Sequence, residues 1–368
     1  MISLQAKNQL TASQTAVILT NYTLAVGILT LPRAAAQEVQ TPDIWITVLL
    51  GGCVSLVAGV IHVKLSQQYP GKNFYEYSQN LVGKVLGSLL SIFVIVYFLT
   101  LSAFEARTVA EVAGFFLLDG TPTWAILMPF MAIGLYLINS GINPIARLFE
   151  IIFPLTIILF LLVIFMSVGI FELNNLRPVL GSGIMPVLKG IKTTALAFTA
   201  AEIMVVLVAF MEKPEKAIKV VLVGVGIPTL FYLITVVMVV GGLSIEVAQT
   251  YTWPTISLIQ SFEITGLIFE RFESFLLIIW IMQIFATFTI SFYAASLGLS
   301  HLFKRETKPM IYLLIPFIYI VAMMPKNINE LFKLGDILGY FAYILFGLFP
   351  LLLLIGSWVK EGRHETKQ

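Results

Sequence analysis

The residues of this chain that could do chemistry are few, and they lie inside long apolar runs. Between 82 and 118, Tyr97, Leu101, Glu105 and Thr108 follow at intervals of four, four and three, so they share one helix face. A carboxylate in such surroundings is costly unless it faces a cavity, a partner or a hydrogen-bond network. Arg107 points elsewhere and is spaced to meet Glu111 at i+4. A second carboxylate, Glu202, follows the small-residue run Ala197-Phe198-Thr199-Ala200-Ala201. Small residues alone mean close helix packing; the added charge needs a reason. A third stripe, Gln283, Thr287 and Ser291, either lines a pocket or bonds to neighbouring helices. The chemistry on offer is binding and proton exchange. With no nucleotide-binding loop, metal-ligand spacing or nucleophile–base pair, the expectation is a non-enzyme with no cofactor and no metal. Cys53 stands alone, which excludes an internal disulfide, and His62, His301 and His364 are too scattered for a ligand cluster.

A different signal sits in the first apolar run, Val26-Gly27-Ile28-Leu29-Thr30-Leu31-Pro32. Glycine is too free for a helix interior, and proline lacks the amide donor. Where no water is at hand, a helix break is tolerated only if protein, a cavity or a ligand meets the freed groups. The stretch therefore reads as an interruption and a candidate binding site.

The elements that must position these residues follow from composition. The chain is 58% hydrophobic and 11% charged, with a mean hydropathy of +0.95. Soluble domains average about 25% charged residues, so this is an integral membrane protein. A net charge of +2 with no basic stretch gives no reason to expect nucleic acid. Ten segments are long enough to span, at 13–37, 43–66, 82–118, 122–139, 144–171, 184–211, 217–242, 270–302, 309–325 and 336–360. The third, about 55 Å as a helix, must tilt or project from the bilayer. The first reads as a permanent helix rather than a cleaved signal peptide. Leaving out Arg33 and Arg107, which lie in or near spans, the side holding both termini carries fourteen Lys and Arg against six opposite. Both termini are therefore expected in the cytoplasm. On the other face, Ile256, Ile259 and Phe262 recur near helical spacing, which predicts a short amphipathic helix serving as an interfacial anchor or a lid.

Gly27-Ile28-Leu29-Thr30-Leu31-Pro32 taken with Phe198-Thr199-Ala200-Ala201-Glu202 resembles the amino acid–polyamine–organocation transporter superfamily. Within it the chain most resembles the B subunits of spore germinant receptors of endospore-forming bacteria. The strings that carry this are Leu31-Pro32-Arg33-Ala34, Phe104-Glu105-Ala106-Arg107, Asn175-Leu176-Arg177-Pro178-Val179-Leu180-Gly181, Trp253-Pro254-Thr255-Ile256-Ser257 and Phe269-Glu270-Arg271-Phe272-Glu273-Ser274-Phe275.

The resemblance implies an all-α polytopic membrane protein with ten transmembrane helices in a five-plus-five inverted repeat. A single transmembrane domain would cover 1–368, with repeat one at about 13–171, repeat two at about 184–360, and discontinuous first and sixth helices. Helix N-termini and free amides at such breaks suit the carboxylate of an amino acid. The implied ligand-binding positions are Gly27, Ile28, Leu29 and Thr30; Tyr97 and Leu101; Phe198, Thr199, Ala200 and Ala201; and Thr287. Glu105, Glu202, Gln283 and Ser291 would form a polar pathway or coupling path.

Related sequences commonly have glycine where this chain has Ala200, which implies milder unwinding or a smaller pocket. Thr199 adds a hydroxyl that hints at a germinant with a polar group. The implied role is a germinant-sensing subunit in the spore inner membrane, with its termini on the spore-core side. It would bind a small nutrient such as an amino acid and act with A and C subunits in the lipid bilayer. The rival is a proton-coupled amino acid secondary transporter working through Glu105 or Glu202, and a third reading is a scaffold for partner subunits.

Overall fold

The computed structural model describes residues 9–261 and 273–354, and all described regular structure is helical. Six of these helices are long and apolar enough to cross a membrane, or seven when one bent pair is taken as a single span. Their outward faces carry large apolar side chains, such as Ile151, Ile158, Leu161 and Phe165 on one helix. Surfaces of that kind fit lipid and not water. The chain is a multi-pass membrane protein.

The bent pair is the first segment. Helix α1 (Ala12–Leu24) opens with a capping box, in which Thr11 Oγ1 accepts from the Gln14 amide and Gln14 Oε1 accepts from the Thr11 amide. It stops at Ala25–Val26, and α2 (Gly27–Val39) departs at 49°. The expected interruption at Gly27–Pro32 is thus displaced by two residues, because those residues form the first turns of α2. Pro32 still frees a carbonyl, since it cannot donate to Ile28 O. Thr255 Oγ1 donates to that oxygen at 2.8 Å.

Helix α3 (Ile44–Gln67) is followed by the short α4 (Phe74–Val82) and then by α5 (Lys84–Phe116), about 50 Å long. Gly83, at φ 86°, makes the turn between α4 and α5. Helices α6 (Thr123–Asn139) and α7 (Ile142–Ser167) complete the first half of the chain. The sixth segment is broken: α8 (Met185–Ala197) ends in a turn over Phe198–Ala200. A 3-10 turn (Ala201–Ile203), the four-residue α9 (Met204–Leu207) and a second 3-10 turn (Val208–Phe210) then carry the chain on. Alanine at 200 does not prevent unwinding, because α3 meets the freed groups. Ser55 Oγ donates to Phe198 O at 2.9 Å, and His62 Nδ1 lies 3.1 Å from Ala201 O.

Helix α10 (Ala217–Leu243) leads to two short helices, α11 (Ile245–Thr250) and α12 (Pro254–Gln260). The amphipathic helix expected here exists, but Ile256 and Ile259 are buried in the protein, with α12 packed on α2 and α10. Phe262 and Phe269–Phe272 lie outside the described residues. Helix α13 (Glu273–Phe303) is the most buried of the spans and packs along α5. Helix α14 (Thr307–Met323) precedes α15 (Ile328–Ala342), which begins eight residues before the expected 336 because Asn327 caps it through the Glu330 amide. A π-helical stretch, Tyr343–Leu348, continues that span toward Leu354.

Candidate functional site

The break in the first segment leaves carbonyls at the end of α1 that need donors. Thr287 Oγ1 on α13 donates to Tyr22 O at 3.0 Å, and the Tyr232 hydroxyl on α10 donates to Thr23 O. Two neighbouring helices thus hold the break open. Beside it lies a cavity of about 330 Å³, of the size that takes a small molecule.

Of the expected ligand-binding positions, Gly27, Thr30, Tyr97, Leu101, Thr199 and Thr287 line this cavity. Ile28, Leu29, Phe198, Ala200 and Ala201 do not. The helix turns Ile28 and Leu29 away. The Phe198 ring packs on Tyr232 with centroids 5.0 Å apart. Ala200 and Ala201 are buried, and Ala201 faces Gly59 of α3.

The four polar-pathway positions also separate. Glu105 lines the cavity; it is 3% exposed, and its Oε2 has no hydrogen-bond partner among the described residues. Glu202 lies just behind the wall, where its Oε1 accepts from the hydroxyls of Tyr97 at 2.9 Å and Tyr22 at 3.1 Å. Gln283 and Ser291 lie outside the cavity lining. Gln283 Nε2 donates to Asn21 Oδ1 at 2.9 Å and Thr156 Oγ1 at 2.5 Å, tying α13 to α1 and α7. Ser291 Oγ donates to Thr287 O at 2.6 Å and pairs with Ser102 Oγ on α5. Both fasten helices together. Arg107 meets Glu111 at 2.6 Å, as the spacing predicts.

Sequence reasoning missed Tyr22, Arg33, Gln37, Phe332 and Asp336, which also line the cavity. A signal existed for some of them. Thr30, Arg33, Ala34 and Gln37 fall at helical spacing, so once Thr30 faces inward the others follow. The Arg33 guanidinium lies over the Phe332 ring at 5.3 Å, and its buried Nε has no hydrogen-bond partner among the described residues. The wall therefore offers a cation, an unengaged carboxylate oxygen and several hydroxyls within one enclosure. Such an arrangement can hold a small molecule that bears charges of both signs. No cluster of three or more His, Cys, Asp or Glu that could hold a metal occurs among the described residues.

Two solved structures have a similar fold. One is Mhp1, a nucleobase–cation–symport-1 family transporter in a closed conformation with bromovinylhydantoin bound; its TM-score is 0.70 at 13% identity, over 95% of this chain and 78% of that one. The other is MhsT in complex with L-phenylalanine, with a TM-score of 0.71 at 11% identity, over 93% of this chain and 87% of that one. At such identities the likeness concerns the fold alone.

Sequence relatives are more specific. Spore germination protein YndE of Bacillus subtilis (strain 168) is 58% identical over 356 residues, 96% of this chain and 98% of that protein. Spore germination proteins A2 and B2 of the same organism are 37% and 34% identical, over 95% and 99% of this chain and 95% and 100% of their own lengths. The family described as spore germination protein matches residues 9–331. The chain belongs to that family, as a permease-like membrane protein of the B-subunit type.

Proposed function

We propose that the protein is the membrane subunit of a spore nutrient germinant receptor, and that the cavity beside the first break binds an amino acid or similar small nutrient. One observation carries the reading: in a member of the spore germination family, a helix break, a buried carboxyl at Glu105 with an unpartnered Oε2 among the described residues, and an arginine at Arg33 line one cavity. Arg33 suits a ligand carboxylate, and Glu105 suits an ammonium group. Gly27 and Thr30 bring the first turn of α2 to the wall, where the helix dipole favours an anion. Ligand binding would shift the receptor between conformers by its differential affinity for them.

The same reading includes ten spans in two inverted repeats, at about 13–171 and 184–360, within one transmembrane domain. The described elements support it. Adding the shorter apolar helices α6 and α14 and the broken segment from Met185 to Phe210 to the seven spans gives ten in order. The protein would sit in the spore inner membrane with both termini on the core side and pass its shift to A and C subunits.

Spores carrying Tyr97→Phe, Glu105→Gln or Thr287→Val test the reading. A raised nutrient requirement, with the protein still present in the membrane, is the expected result. Unaltered sensitivity in all three would remove the cavity from nutrient sensing. A second reading, a proton-coupled amino acid transporter, is favoured by the fold shared with transporters and by the buried carboxylates Glu105 and Glu202. Uptake of labelled amino acids into proteoliposomes under a pH gradient would support it.

A further inference from the structure

His62 takes no part in the cavity, yet its surroundings are unusual. It sits on α3, 1% exposed. Its Nδ1 lies 3.1 Å from Ala201 O and its Nε2 lies 2.6 Å from Phe346 O. Both partners are backbone carbonyl oxygens, which only accept. A neutral imidazole carries one N–H and one bare nitrogen, so it satisfies one of these contacts and sets a lone pair against an oxygen in the other. The imidazolium donates to both, and charge-assisted bonds are short and strong. We propose that His62 is a proton-binding site that, when loaded, clamps the break in the sixth segment to the π-helical stretch of the last span.

The groups on the surrounding elements fit that assignment. The break at Ala201–Ile203 brings Glu202, buried and held by Tyr22 and Tyr97. Among the described residues of that turn it is the buried carboxylate, and it follows directly the Ala201 carbonyl that His62 meets. On α3 itself Lys64 is exposed. On α10, Lys219 is exposed and the Tyr232 hydroxyl is committed to Thr23 O. In the π-helical stretch Tyr343 donates to Lys192 O. Helix α4 brings Tyr77, paired with Ser66, and Glu76, beside His301 and bonded to the Asn73 amide. Helix α9 and the turn Val208–Phe210 carry no ionisable side chain.

The contacts form a closed circuit. The Phe346 ring packs on Tyr97 with centroids 5.0 Å apart, and Tyr97 donates to Glu202, which follows Ala201 in the chain. Tyr97 also lines the cavity. Loss of the proton at His62 removes one of its two bonds and loosens either the break or the last span. A proton and a cavity ligand therefore press on the same few residues, although the proton site stands independently of what the cavity takes.

The protein has three histidines, which makes a direct test practicable. The full chain, labelled with 15N-histidine and held in lipid bilayers, is titrated by solid-state NMR. His301→Gln and His364→Gln variants assign the His62 signals by elimination. Two protonated ring nitrogens on His62 at the acid end of the titration, giving way to a single tautomer as the pH rises, is the expected result. One bare nitrogen at every pH overturns the proposal. A second arm places a cysteine at Ser66 in a Cys53→Ser background and follows thiol labelling against pH. Relative to the same probe with His62→Gln, labelling should rise severalfold as the proton leaves. A constant ratio across the titration overturns the clamp. If His62→Gln fails to fold, the NMR arm still decides, because its variants retain His62.

Discussion

At the scale of single residues, the two carboxylates differ in what they lack. Glu202 has two hydroxyl donors on one oxygen, whereas Glu105 Oε2 has none among the described residues. Removing one donor, by Tyr22→Phe or Tyr97→Phe, should cost about 1–2 kcal/mol of stability. Removing both should cost more than the sum, because Glu202 is then buried with neither hydroxyl. Thermal unfolding of the four variants in detergent forms the cycle, and simple additivity would show that the hydroxyls do not act as a unit. Glu105 should behave in the opposite way. Glu105→Gln replaces a poorly satisfied buried carboxyl, so the melting temperature should hold or rise while nutrient sensitivity falls, as expected where function keeps a costly group. A drop in melting temperature with unaltered sensitivity would mark Glu105 as structural. Glu105 and Tyr97 were legible from four-residue spacing in an apolar run. Tyr22 was not, because nothing in α1 sets it apart until Glu202 is brought across from a segment 180 residues away.

At the scale of elements, both breaks depend on donors supplied by neighbouring helices, and this limits what the sequence reveals. The glycine and proline of the first segment announced a break, but its position two residues earlier is held by Thr287 and Tyr232. The sixth segment has no glycine or proline from Ile191 to Phe210, and its break rests on Ser55 and His62 of α3. Local propensity cannot register a bond formed by another helix. The clearest test of this dependence is at Pro32. Thr255→Val leaves Ile28 O without its donor at a buried site, which should cost about 1–3 kcal/mol. Adding Pro32→Ala returns a backbone amide one turn along and should recover most of the loss. Chemical denaturation of the single and double variants measures it. No recovery would mean that Thr255 acts through packing and not through the orphaned carbonyl.

At the scale of the whole molecule, the cavity is bounded at two ends by fastenings of unequal kind. At the end where the chain begins, Leu10 N donates to Phe210 O at 2.7 Å and the Glu212 amide donates to Leu10 O at 2.9 Å. These bonds join the starts of the first segment to the finish of the sixth. At the mouth, the cation–π contact of Arg33 with Phe332 links α2 to α15, a contact of about 0.5–1 kcal/mol where exposed. Set against two backbone bonds, the Arg33–Phe332 contact is the weaker of these fastenings. Phe332→Ala should therefore favour opening at the mouth by up to about fivefold, the equivalent of about 1 kcal/mol. Leu10→Pro removes the Leu10 amide and should loosen the other end instead. A cysteine at Thr30, in a Cys53→Ser background, reports on both. In sealed vesicles of known orientation, an impermeant thiol reagent on the mouth side should label it faster in Phe332→Ala. The same reagent on the opposite side should gain only in Leu10→Pro. Equal gains from both sides in either variant would mean that the two ends are not separate closures, and that the cavity opens by general loosening of the bundle.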